Sequence, residues 1–201
     1  MEKEAPKKKN RRSLETETTI KDALLRLIEK QAYEDINVSM LCREAGLSRG
    51  TFYLHYTHVD EVLNALIDDA IIAEGLDERT MALVEALDPP STPALRSEDR
   101  LPQGEQQTDG GKYRVLLMNG QMGHHINRRI FAREQDKVIP VLMKRAGLDQ
   151  EEAELLYRFI IYGSYRVNRK LGWQKDERWY RLQELMSEFC YGGFRRISRR
   201  R

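Results

Sequence analysis

The chain has little that would staple, anchor or export it. Its 201 residues hold two cysteines, Cys42 and Cys190, far apart and with no CxxC pair. Reduced thiols in a cytoplasmic protein are therefore expected. No apolar run approaches the roughly 18 residues that a membrane helix needs, so no membrane partner is expected. The first residues, MEKEAPKKKNRRS, carry charge but no apolar stretch, so no secretory signal is expected there. No segment shows sustained period-two alternation, which leaves nothing to build a sheet, and no internal repeat is found.

What is present suits a packed helical protein. Apolar residues make up 40% and charged residues 33% of the chain, enough to bury a core and keep a hydrated surface. The net charge of +2 is uninformative, but its distribution is not. Met1 to Arg12 holds six Lys/Arg against two Glu, and Phe189 to Arg201 holds five Arg and no acid. Such ends suit arms for nucleic acid, and equally suit solvated tails.

Periodicity and punctuation divide the chain. Residues 1–17 are expected to form a disordered basic arm. Thr19 with Asp22 gives a Ser/Thr-x-x-acid start for a helix over 19–32, with Ile20, Leu24, Leu27 and Ile28 at helical spacing. Asn37 caps a short helix over 38–45 that Gly46 ends, and Ser48 caps another over 49–55. Thr57 with Asp60 starts a longer helix, continuing to about Leu87, with Asp60 and Glu61 suited to its positive end. DPPSTPALRSEDRLPQGEQQTDGG (88–111) carries four prolines and three glycines and reads as a flexible loop, disordered or a lid. The chain is helical again from Lys112, Pro140 is expected to kink or break that helix, and Gly147 ends it. A helix over 149–171 follows, with Ala153, Leu156, Phe159, Ile160, Gly163 and Val167 on one stripe. Asp176 opens the last, with Trp179, Leu182, Leu185, Met186, Phe189, Cys190, Gly193 and Ile197 on another. The expected fold class is all-α.

Two short helices joined by AGLS have the layout of a helix-turn-helix. Leu41, Ala45, Leu47 and Phe52 fall where the pair must touch, and Phe52 and Tyr56, four apart, face inward. The second helix is expected to present Arg49, Thr51, Tyr53 and His55 outward. Arginine reads guanine edges, threonine offers a hydroxyl and a methyl, and Tyr and His can donate to phosphate. From Ala45 to Val59 there is no Asp or Glu, as a face meeting a polyanion requires.

The stretch TIKDALLRLIEKQAYEDINVSMLCREAGLSRGTFYLHYTHVDEVLNALI (19–67) resembles the DNA-binding domain of TetR-family transcriptional regulators. The resemblance covers about a quarter of the chain, and the GTFYLHY string with its spacing makes it far more specific than a bare helix-turn-helix. It implies an N-terminal three-helix bundle over 18–60 and a C-terminal helical ligand-binding and dimerisation domain over 61–201. It puts Asn37 and Ser39 at phosphate, and Ser48, Arg49, Gly50, Thr51, Tyr53, Leu54 and His55 on the recognition helix. One position departs. Where the family usually has a phosphate-gripping lysine, this chain has Val59, preceded by Thr57 and His58, which with the amides of that helix are candidates to replace the contact. Lys7, Lys8, Lys9, Arg11 and Arg12 of the arm could compensate.

The C-terminal half carries a different signal. Its last two helices are apolar on one stripe and include Gly163, Ser164, Gly192 and Gly193, small enough for close helix approach. Taken with the resemblance they suit a two-fold dimer built as a four-helix bundle. Rings and thioethers concentrate over 113–173, and Met118, Met122, His125, Phe131, Tyr157, Tyr162 and Tyr165 are candidates to line a pocket for a small-molecule effector, medium-sized and apolar or aromatic. His124 and His125 are adjacent and point about 100° apart on a helix, so they do not chelate together. No metal, cofactor or catalytic set is expected. The expected function is a ligand-responsive homodimeric repressor on a near-palindromic site in double-stranded DNA. The alternative is a dimeric interaction protein, or co-regulator, with weak DNA binding that acts through a protein partner.

Overall fold

The computed structural model describes residues 11–73, 111–174 and 176–198. Among these residues every regular element is helical. The chain divides into two compact units, Met1–Leu66 and Ile67–Arg201.

The first unit opens with α1, Arg11–Lys30, which buries Ile20, Ala23, Leu24, Leu25, Leu27 and Ile28 on one face. It starts well before the expected Thr19. Residues 11–17 are thus helical, and 1–10 lie outside the described residues. The early turns carry their own support: Arg11 pairs with Glu15 at 3.0 Å, and the hydroxyls of Thr16, Thr18 and Thr19 donate to the carbonyls four residues back. Thr19 is therefore a mid-helix residue and not a cap.

A 3-10 turn at Tyr33–Asp35 leads to α2, Val38–Ala45. Asn37 caps α2, its side chain accepting from the Met40 N–H at 3.1 Å. Gly46 ends it with φ 67°, in the left-handed region. A Cβ at Gly46 would meet no atom within 4 Å, so substitution there costs conformational energy alone. Gly46→Ala is expected to lower stability by about 1–2 kcal/mol, read from the urea midpoint at unchanged slope. After Gly46 comes α3, Arg49–Tyr53, and then α4, Val59–Ala73. The continuation of α4 toward Leu87 lies outside the described residues, as does the expected loop over 88–111 apart from Gly111. Leu41, Phe52 and Tyr56 are buried as their spacing requires, and Ala45 and Leu47 are half-buried.

In the second unit, α5 spans Arg114–Met118, α6 Gly123–Ala146, α7 Gln150–Lys170 and α8 Glu177–Ser198. The pair α6 and α7 is the main packed layer, and α8 lies against α6. Pro140 neither ends nor splits α6. Pro140 and Asp136, whose carbonyl would have bonded the missing N–H, are both exposed, so water can take up that carbonyl. A capping box starts α7: Asp149 accepts from the Glu152 N–H at 2.8 Å, and Glu152 accepts from the Asp149 N–H at 2.9 Å. Asp176 starts α8 by accepting from the Trp179 N–H at 2.9 Å. Where α6 passes α7, a Cβ on Gly123 would sit 2.9 Å from the Tyr165 ring, so only glycine permits that approach. The Tyr165 hydroxyl donates to the Leu117 carbonyl at 3.0 Å, and burial pushes its pKa up. Asp68 on α4 is held by Arg129 of α6 at 2.7 Å, with Arg133 at 3.3 Å. The hydrogen bond to Asp68 raises the pKa of Arg129.

The apolar stripes differ from those expected. The buried face of α7 is Ala153, Tyr157, Ile161, Tyr165 and Asn168. Of the expected stripe only Ala153 is buried, whereas Leu155, Phe159 and Tyr162 are exposed. On α8 only Trp179 and Phe194 are buried, and Leu185 and Phe189 are exposed. Both helices are apolar on two sides, so periodicity did not identify the side that meets α6. No helix among the described residues is long and apolar enough to cross a membrane.

Candidate nucleic-acid interface

The exposed side of the first unit is built on α2, the Gly46 turn and α3. The Ser48 hydroxyl accepts from the Thr51 N–H at 3.0 Å and lies 2.9 Å from the Thr51 hydroxyl, which fixes the first turn of α3. Arg49 extends from that turn, and its guanidinium donates to the Ser39 hydroxyl on α2. Arg49, Ser39, Asn37, Ser48 and Gly50 are all exposed, and Thr51 is half-buried. Tyr53 is 57% exposed, its ring edge-on to Phe52, and Leu54 is 82% exposed. These side chains form one polar and aromatic surface without a carboxylate of their own. The last acid before it, Glu44, is bound by Arg26 at 2.8 Å and Lys30 at 3.4 Å, and the Arg26 hydrogen bond holds its carboxyl below the usual range.

His55 does not point outward with the others. Helix α3 stops at Tyr53, and the turn after it carries the imidazole toward α1, where Nδ1 lies 3.3 Å from Glu17 Oε1. The start of α4 also differs from expectation. The Thr57 N–H and hydroxyl both donate to the Glu61 carboxylate at 2.7 Å. These bonds hold the Glu61 carboxyl below the usual range. Asp60, expected as the partner of Thr57, accepts instead from the Tyr33 hydroxyl. Thr57, a candidate to replace the phosphate contact missing at Val59, is thus committed to a carboxylate. His58 is exposed and Val59 half-buried.

The residues expected to line a pocket are not all brought together. Met122, Phe131, Tyr157 and Tyr165 are buried in the second unit, Met118 and His125 are half-buried, and Tyr162 stands on the exposed face of α7. Phe131 packs on Tyr157 with ring centres 5.6 Å apart, and the Arg158 guanidinium lies 3.7 Å above Phe131. The Tyr157 hydroxyl donates to Glu134, a buried acid that sequence reading missed. Asn127 and Asn168 are buried polar residues missed likewise; Asn168 accepts from the Trp179 indole at 2.7 Å. Their signal was polarity at stripe positions: Asn127 and Glu134 are seven apart, in line with Ile130 and Phe131. Glu17 was missed because it lies outside the helix-turn-helix. Among the described residues no cluster of three or more His, Cys, Asp or Glu is placed to hold a metal ion.

Residues 20–66 match the family model described as bacterial regulatory proteins, tetR family. An uncharacterized HTH-type transcriptional regulator, YxbF of Bacillus subtilis (strain 168), is 35% identical over 82 residues, which are 40% of this chain and 21% of that protein. The chain therefore spans about a fifth of the length of that relative. A capped α2, a left-handed Gly46 turn and a capped α3 lie within the matched segment, so residues 20–66 carry a helix-turn-helix unit similar to that of the tetR family of bacterial regulatory proteins.

Proposed function

We propose that this chain is a ligand-responsive transcriptional repressor that binds a near-palindromic operator in double-stranded DNA as a homodimer. The observation that carries the reading is the exposed, carboxylate-free surface of Ser48, Arg49, Gly50, Thr51, Tyr53 and Leu54 on and beside α3. A short helix of that kind enters the major groove by its outer face. Arg49 is assigned to a guanine edge, Thr51 and Leu54 to base methyls, and Tyr53, Asn37, Ser39 and His58 to phosphate. Two copies present two such helices about one DNA turn apart, roughly 34–36 Å, which requires a near-palindromic site. The uncovered Leu155, Phe159 and Tyr162 on α7 and Leu185 and Phe189 on α8 support pairing through those helices. The second unit, with Met118, Met122, His125, Phe131, Tyr157 and Tyr165, is the proposed seat of a small apolar or aromatic effector, which acts by binding one dimer state better than the other. The reading assigns the chain no catalytic step.

Fluorescence anisotropy with duplexes tiling the DNA around the protein's own gene tests it. One duplex is expected to bind tightly, with affinity falling steeply as salt rises, and Tyr53→Ala is expected to weaken it about tenfold or more. A second reading, a dimer acting through a protein partner, is favoured by the commitment of Thr57 to Glu61. Uniformly weak binding untouched by Tyr53→Ala would select it.

A further inference from the structure

Helix α3 is only five residues long, Arg49–Tyr53, and Phe52 is its one buried residue. The next anchor, Tyr56, follows four residues on. Two anchors at that spacing lie along one line and leave rotation about it unchecked. Such a rotation would change the reach of Arg49, Thr51 and Tyr53. Off that line lie the hydrogen bond of Arg49 to Ser39 on α2 and, at the other end of the helix, the contact of His55 with Glu17, at 3.3 Å between Nδ1 and Oε1, with side chains 12% and 13% exposed. The His55 N–H donates to the Phe52 carbonyl at 2.9 Å, so the residue is fixed to the last turn of α3. Glu17 sits on α1, 38 residues away and ahead of the segment that matches the family model. Farther along, α1 grips the end of α2 through Arg26 and Glu44. Helix α1 therefore holds the helix-turn-helix at two places.

We propose that Glu17 is a positioning residue for the recognition helix: through His55 it sets the rotation of α3 and so the specificity of DNA binding, without touching DNA. The proposal rests on the DNA-binding reading above. The pair is mostly buried, so the unfolding midpoint of each variant separates a loss of orientation from a loss of stability.

The test is a double-mutant cycle on the operator duplex and an unrelated duplex, with thermal unfolding followed for each variant. Glu17→Ala is expected to weaken operator binding about five- to tenfold while affinity for the unrelated duplex holds. In a His55→Ala background the same change is expected to add less than about twofold. His55→Asn, whose amide nitrogen takes the place of Nδ1, is expected to keep most operator affinity while Glu17 is present. Independent, additive losses would overturn the proposal, as would a parallel loss on both duplexes with a lowered Tm, unchanged operator affinity, or a gain. A wild-type chain that binds no duplex overturns the DNA-binding reading and this proposal together. A wild type that binds, with additive variants, overturns this proposal alone.

Discussion

Phe52→Ala is expected to lower the stability of the first unit by about 3–5 kcal/mol and to abolish DNA binding with it. Phe52 is 1% exposed, and it is the only residue of α3 that reaches the core. Removing the ring takes away its burial and leaves a cavity among side chains that cannot all collapse into it. The helix has little to fall back on, because five residues are too few to hold a helical turn without packing. Urea unfolding followed by circular dichroism measures the loss. Tyr53→Ala, one residue along and exposed, is the control, with a change within about 0.5 kcal/mol. Equal effects at the two positions would mean that α3 is not packed as described.

On the proposed dimer, Phe159→Arg combined with Phe189→Arg is expected to give a monomer of 23.6 kDa that remains folded. The two rings are 65% and 72% exposed, so neither supports its own chain. If those faces meet a second copy, the arginines put four like charges into an apolar contact, at a desolvation and repulsion cost. Sedimentation velocity reads the mass, and the unfolding midpoint checks the fold. Operator affinity is expected to fall about a hundredfold or more, because each half-site is then bound separately. A variant that still sediments as a dimer would move the interface elsewhere.

The parts of the fold legible in the sequence are those set by local chemistry. Asn37, Ser48 and Asp176 each start the helix their side chains can satisfy, and Gly46 and Gly147 end theirs in the left-handed region. Local rules failed where two partners competed. Asp60 and Glu61 are both acids at a helix start, and Thr57 chose Glu61 because Tyr33, distant in sequence, holds Asp60. Helix α1 runs back to Arg11 because threonine hydroxyls can bond inside a helix as well as cap one. Faces were harder still. On α7 and α8 apolar residues occur on two sides, and only tertiary packing selects which side is buried in one chain. The exposure of Arg49, Tyr53 and Leu54 was legible. His55 was not, since Glu17, its partner, lies 38 residues away on another helix.

The most direct measurement is a hydroxyl-radical footprint of the wild-type chain on the duplex it binds best, paired with methylation interference. Two protected patches about one helical turn apart are expected, with guanine N7 methylation blocking binding in each half-site and Arg49→Ala relieving that block. A single patch, or interference that Arg49→Ala leaves unchanged, would contradict a dimer reading its operator through the exposed face of α3.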